Sequence, residues 1–248
     1  MTIWEHLAEL RSRLIKVAMA VGIGTIFGWF VYPYLLDFLL VPFREIQGPD
    51  AQVIATEPLQ AFTLRLQMSV YLGIAIAMPV ILWQLWRFIT PALYPHEKKY
   101  AIPFTVSAML LFLGGAWVAY LILVPTLQFL ISVGGDNVEP LYTATSYITL
   151  IVWMMLAFGI GFEFPVVVVA LQLIGVITPR QLLSWWRVAM VVIAVVAAVI
   201  TPSADPISML ALAIPMALLY FLSIGVGAVV LTMRRRKAAK VEKASSEG

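Results

Sequence analysis

Long apolar runs alternate with short polar segments along almost the whole chain. A helix needs about 20 apolar residues to cross a hydrocarbon layer about 30 Å thick. Six runs predict membrane-spanning helices, at about residues 14–32, 68–88, 101–124, 147–174, 188–200 and 207–233. The fifth would be only about 20 Å long, so either the bilayer thins there or this helix lies inside a bundle. The pattern predicts an all-α integral membrane protein with one six-helix transmembrane domain over residues 1–233.

The composition agrees with a membrane location. Of the 248 residues, 62% are hydrophobic and 12% are charged, whereas a soluble domain is about 45–50% apolar and about 25% charged. A soluble core of this size could not hide so much apolar surface, which excludes an ordinary soluble enzyme. The absence of cysteine excludes disulfides and thiolate metal sites, and two histidines are too few for a histidine-rich metal site. We therefore expect no cofactor and no metal.

The basic residues predict the orientation in the membrane. All but two of the 16 lysines and arginines fall in segments on one side, and the exceptions are Arg44 and Arg65. Because cytoplasmic loops carry an excess of basic residues, both termini are predicted to be cytoplasmic. The basic tail, residues 234–248, is predicted to be disordered and to touch anionic lipids. The tail lacks interleaved aromatic residues, so we expect no nucleic-acid binding.

The N-terminal segment has apolar residues at helical spacing, including Leu7, Leu10 and Leu14. This spacing predicts an amphipathic helix that lies on the inner surface before the first span. Glu9 and Arg13 are four residues apart and can form an ion pair on that helix. A solvated helix face would explain the same pattern.

The segment between the second and third spans carries an isolated acid, Glu97. Pro95 suits the first position of a helix, which places Glu97 in the first turn, where a carboxylate complements the helix dipole. Together with Glu5 and Glu9, Glu97 also places carboxylates on a face that is otherwise positive. Such carboxylates can pair with guanidinium groups of a ligand through two parallel hydrogen bonds.

The fourth span contains an acid, Glu163, about 23 Å from the start of the span. A charge at the centre of a membrane helix costs at least about 2.5–3.5 kcal/mol, so this side chain is either protonated or faces a wet cavity. Pro165 lacks the amide that would donate to the Gly161 carbonyl oxygen, so this carbonyl is a second unpaired polar group beside Glu163. Both a functional and a purely structural acid fit this pattern.

The segment at residues 201–208 is polar and rich in proline, and it links the fifth and sixth spans. It predicts a tight outer turn, with Asp205 or Ser203 near the N-cap of the last helix.

Gly24 and Gly28 form a GxxxG pattern in the first span, which lets a neighbouring helix approach closely. We expect packing within the chain rather than dimerisation.

Four motifs resemble the TatC family, the multispanning component of the twin-arginine protein translocase. They are HLAELRSRL at residues 6–14, FITPALYPHE at 88–97, AFGIGFEFP at 157–165 and TPSAD at 201–205. They occur in that family's order, on the appropriate sides of the membrane, and cover essentially the whole chain. The resemblance implies a glove-shaped bundle with a concave face, in the bacterial cytoplasmic membrane.

The resemblance also implies a receptor without catalysis of its own, which binds the paired arginines in signal peptides of folded cargo. Glu97 would be the principal carboxylate, and the other implied peptide-binding residues are Glu9, Arg11, Phe88 and His96. Glu163 would face the concavity. Asp205 would be the functional acid of the outer loop.

The implied partners are single-span proteins of the TatA/TatB type, other TatC copies and the lipid bilayer. The single-span proteins would contact the last two helices, through Thr201, Ser208 and Met209. Met209 stands where a polar contact would be expected. No nucleotide motif occurs in the chain, which fits transport driven by the proton gradient.

Two rival functions are a proton-coupled small-molecule transporter that uses Glu163 as its carrier and a membrane-embedded hydrolase. The transporter would need internal pseudo-symmetry and a second charged group at the midplane, and the sequence shows neither. The hydrolase would need a nucleophile with a base, yet both histidines fall outside the spans.

Overall fold

The computed structural model describes residues 3–89, 101–134, 143–203 and 205–246, and these residues are almost entirely helical. The helices in chain order are α1 (Ile3–Gln47), α2 (Gln60–Ile89), α3 (Ala101–Gly134), α4 (Ala144–Gly161), α5 (Phe164–Leu173), α6 (Pro179–Ser184), α7 (Trp186–Ile200) and α8 (Pro206–Ser246).

Within the described residues, five helical stretches are long and apolar enough to cross a membrane: Leu7–Gln47, Gln60–Leu85, Ile102–Gly134, Ala144–Leu173 and Pro206–Met233. The remaining apolar helix, α7, is shorter, as its sequence predicts. The multi-pass, all-helical architecture is thereby confirmed.

The N-terminal segment differs from the prediction, because it is not a separate surface helix. Helix α1 continues without a break from Ile3 through the first predicted span. No glycine or proline breaks the pattern between Ile3 and Val21, so extending the existing helix requires no new nucleation. The amphipathic turns are therefore the first turns of a single long helix.

The fourth predicted span consists of two helices, α4 and α5, with a break at Phe162 and Glu163. Proline at residue 165 has no amide to donate, and the ladder resumes where the Glu163 carbonyl accepts from the amides of Val166 and Val167, at 3.0 and 3.2 Å.

The basic tail is helical as far as Ser246, which differs from the disorder that its composition predicts. Arginine, lysine, alanine and glutamate are all strong helix formers. The tail also extends a helix that is already nucleated, so its helical conformation carries no nucleation cost. Composition alone does not reveal this.

The glycines of the GxxxG pattern lie against α2. A Cβ atom on Gly24 would be 2.7 Å from the Gly73 carbonyl oxygen, and one on Gly28 would be 2.7 Å from the Ser69 carbonyl oxygen. Side chains at these positions would force the two backbones apart, which confirms the prediction of packing within the chain.

Helix α4 lies at the centre of the core, where Ile151, Met154 and Phe158 are fully buried. The buried Tyr147 hydroxyl donates to the Leu39 carbonyl oxygen at 2.9 Å and joins α4 to α1. At the same end of the molecule, the Ala144 amide donates to the Ile54 carbonyl oxygen at 2.9 Å. These contacts fix the loop after α1 to the start of α4.

Candidate functional site

A polar cluster forms where α1 begins and α2 ends; we call it the Glu9 cluster, comprising Glu9, Arg13, Gln84 and the carbonyl group of Arg87. The Arg13 guanidinium donates to Oε1 of Glu9 through both Nε and Nη2. It also donates to the Gln84 side-chain oxygen at 3.3 Å and to the Arg87 carbonyl oxygen at 2.9 Å. One guanidinium therefore joins the two helices.

The second carboxylate oxygen of Glu9 is buried and has no hydrogen-bond partner among the described residues. The Glu9 side chain is only 23% exposed, and that of Arg13 is 14% exposed. A buried polar atom is costly to leave unpaired, so this oxygen is an unused acceptor beside the Arg13 ion pair.

The other predicted peptide-binding residues are spread more widely. Arg11 is exposed, and it lines a shallow surface groove with Leu7, Leu10 and Leu14. Residues two apart on a helix point about 200° from each other, so the structure does not bring Arg11 beside Glu9. Phe88 belongs to the last turn of α2, while His96 and Glu97 lie outside the described residues.

Glu163 is half-buried between α4 and α5 and lines a cavity of about 260 Å³. The rest of the lining is almost wholly apolar and includes Met78 and Leu82 from α2 and Phe104 and Ala108 from α3. Oε1 of Glu163 is buried without a hydrogen-bond partner in the described part of the chain. The acid thus presents an unused polar atom next to an apolar cavity.

Asp205 caps α8, as its sequence position predicted. Its Oδ1 accepts the Ser208 amide at 2.8 Å, and its Oδ2 accepts the hydroxyl groups of Ser208 and Ser203. Burial raises the pKa of Asp205, but these hydrogen bonds and one from the Ile207 amide outweigh burial, so the pKa lies below its usual value. The carboxylate is 2% exposed and fully used within the chain.

Two of the predicted partner-contact residues are also buried. Thr201 is 3% exposed and donates to the Ala197 carbonyl oxygen at 2.9 Å, while Ser208 is completely buried against Asp205. Met209 is half-buried. Neither hydroxyl therefore offers a free polar group to a partner in this arrangement.

The structure adds two polar side chains that reading the sequence did not single out. Gln84 joins the Glu9 cluster from α2, a contact that residue spacing cannot reveal because the two residues are far apart in the chain. Arg65 stacks on Trp29 and Tyr32, with its guanidinium carbon 4.5 and 5.4 Å from the two ring centres. In the sequence Arg65 stands out only as one of two basic residues on the predicted outer side, since both rings belong to another helix, α1.

Comparison with known proteins gives a consistent result. The family model described as "Sec-independent protein translocase protein (TatC)" matches residues 5–215. The chain is 38% identical to the Sec-independent protein translocase protein TatC of Aquifex aeolicus over 98% of this chain and 100% of that protein. It is 36% identical to the protein of that name in Koribacter versatilis, over 98% of this chain and 91% of the relative.

A solved structure described as the twin arginine translocase receptor TatC in DDM superposes with a TM-score of 0.76. It is 39% identical in sequence, and the alignment covers 90% of this chain and 99% of that one. A family model that spans most of the chain, full-length relatives and a shared fold all lead to one assignment. The chain belongs to the TatC family and is a membrane-embedded component of a protein translocase, not an enzyme.

Proposed function

We propose that this protein is the receptor subunit of a twin-arginine translocase and binds twin-arginine signal peptides of folded cargo at its cytoplasmic face. The observation that carries the proposal is the Glu9 cluster, where a half-buried carboxylate keeps one oxygen free of any partner among the described residues. The solved TatC structure that is similar to this chain is described as a twin arginine translocase receptor.

The proposed recognition follows from the chemistry of guanidinium groups. Each arginine presents five N–H donors in a rigid plane that matches the two oxygens of a carboxylate. We assign Glu97 as the principal carboxylate and Glu9 as the second, with Arg11, Phe88 and His96 contributing around them. Lysine offers a compact charge without the fork, so a twin-lysine peptide should bind much more weakly.

The proposed topology has six membrane crossings, with both termini in the cytoplasm of a bacterial cell. Five long apolar helices and the shorter α7 support the number of crossings, and the bias of basic residues supports the orientation. We infer a glove-shaped bundle whose concave face contains Glu163. Movement of cargo would be driven by the proton gradient.

We further propose that α7 and the start of α8 receive single-span partners of the TatA/TatB type. Helix α7 has only two buried residues, Ile193 and Ala197, and Val188, Val195 and Val199 are more than half exposed. Because Thr201 and Ser208 are buried, Met209 and these valines would make the contact with the partner. Other TatC copies and lipids would cover further apolar surface.

The test of the receptor function measures binding of a synthetic twin-arginine signal peptide to the purified full chain in lipid nanodiscs. The unaltered protein should prefer this peptide to its twin-lysine version, and Glu97→Gln should remove most of the preference. Glu57→Gln is the matched control, because it neutralises an exposed acid at the opposite end of α2. Equal binding of both peptides by the unaltered protein would contradict the proposed function.

A further inference from the structure

We propose that Arg13 is the positioning residue of the peptide site: it holds Glu9 through one oxygen and joins it to the last described turn of α2. This inference rests on the proposed receptor function. It assigns to a residue inside the chain the task of orienting the Glu9 carboxylate against α2 before the peptide binds.

The first step concerns the end of α2. In a continuous helix the Arg87 carbonyl would accept from the amide of residue 91, and residue 91 is a proline, which has no amide. The Arg13 guanidinium supplies a donor to this carbonyl, at 2.9 Å, and brings a positive charge to the negative end of the helix dipole. Arg13 therefore ties α1 to the last described turn of α2.

The second step concerns Glu9. Both donors from Arg13 converge on Oε1 and leave Oε2 without a partner among the described residues. Binding of an outside guanidinium to Oε2, while Arg13 stays on Oε1, requires the atoms that cover Oε2 to move aside. The carboxylate is held in one orientation before the ligand arrives, which lowers the entropy lost on binding.

The third step explains why the residue is arginine. The Arg13 side chain donates to three acceptors: the Glu9 carboxylate, the Gln84 side-chain oxygen and the Arg87 carbonyl oxygen. The donors are several nitrogens of one planar guanidinium. A lysine has only a single nitrogen, and its compact charge cannot span these acceptors in the same way. Charge alone should therefore not replace Arg13.

The experiment measures the affinities of twin-arginine and twin-lysine peptides for Arg13→Lys and Arg13→Gln in nanodiscs. We expect both variants to lose up to about tenfold in affinity for the twin-arginine peptide, no more than Glu9→Gln loses, because Arg13 acts through Glu9. The preference for the twin-arginine peptide over the twin-lysine peptide should fall together with this affinity. Lys16→Gln is the control, because it removes an exposed positive charge one turn along α1.

A double-mutant cycle separates positioning from general loss of structure. If Arg13 acts through Glu9, Arg13→Gln should add little to the effect of Glu9→Gln, whereas independent structural effects would add. Gln84→Met keeps every charge and removes one acceptor, so it should cause a smaller loss of affinity even if Arg13→Gln fails to fold.

The outcomes distinguish this inference from the proposed function. If the unaltered protein shows no preference for the twin-arginine peptide, both are overturned. If the preference is present and unchanged in Arg13→Lys, Arg13→Gln and Gln84→Met, only the inference is overturned. A gain of affinity in Arg13→Gln would also overturn it, because Arg13 would then compete with the peptide for Glu9.

Discussion

Glu9 and Asp205 are both acids at helix ends, yet the chain uses them differently. Asp205 receives hydrogen bonds on both carboxylate oxygens from its own turn. Glu9 receives them on one oxygen only, and the other stays buried and unpaired among the described residues. A carboxylate saturated by its own chain stabilises the fold, whereas a half-used carboxylate retains capacity for a ligand.

The largest effect on stability should come from Asp205→Ala. It removes the N-cap of α8 and takes the carboxylate acceptor away from the buried Ser208 hydroxyl and the half-buried Ser203 hydroxyl, for a loss of about 2 kcal/mol in the free energy of unfolding. Thermal unfolding of the purified protein measures this, with Asp205→Asn as a milder variant that keeps a cap. Peptide affinity should be unchanged, and a large loss of affinity would show that the two acids are not separable.

Glu9→Gln should lower peptide affinity and have less effect on stability, the opposite of Asp205→Ala. The amide oxygen can still accept from Arg13, so we expect a smaller loss of stability than in Asp205→Ala. Affinity for the twin-arginine peptide should fall about tenfold, or about 1.4 kcal/mol, because the charge that attracts the guanidinium is gone. An unchanged affinity measured by calorimetry would remove Glu9 from the peptide site.

The pH dependence of stability provides a third comparison. The folded protein lowers the pKa of Asp205 below 3.8, the reference for an unfolded chain, so its contribution is present above that reference. The contribution is lost as the pH falls through the folded pKa. The difference in melting temperature between the unaltered protein and Asp205→Ala should therefore shrink at acidic pH; a constant difference would contradict this role.

Glu163→Gln should have the smallest effect on stability, within about 0.5 kcal/mol, because the acid already has one unpaired buried oxygen. Export of a folded twin-arginine substrate by cells that carry Glu163→Ala should nevertheless fail if the carboxyl group serves transport. Full export with alanine at this position would leave only a structural role.

The sequence predicts local features of this protein better than contacts between distant segments. The apolar runs indicate the helices, the proline at residue 165 explains the interruption near Glu163, and the spacing of Asp205 from Ser208 is typical of a cap. Each of these depends on residues a few positions apart, whose geometry the backbone determines.

The Glu9 cluster could be predicted only in part. The pairing of Glu9 with Arg13 follows from their spacing. The contributions of Gln84 and the Arg87 carbonyl depend on how α1 crosses α2. That crossing is set by close contacts such as Gly24 against Gly73, which the GxxxG pattern indicates without naming the partner. The register of two packed helices therefore lies beyond what one sequence determines.

The length of α1 makes the position of the proposed peptide site sensitive to helix tilt. With 45 residues, α1 is about 68 Å long, more than twice the hydrocarbon thickness of about 30 Å. Glu9 lies about 22 Å along the axis from Gly24, so a tilt of about 10° at that contact moves the carboxylate by about 4 Å. Bilayer thickness influences helix tilt, so we expect the lipid composition of the host membrane to change the affinity for the proposed peptide ligand.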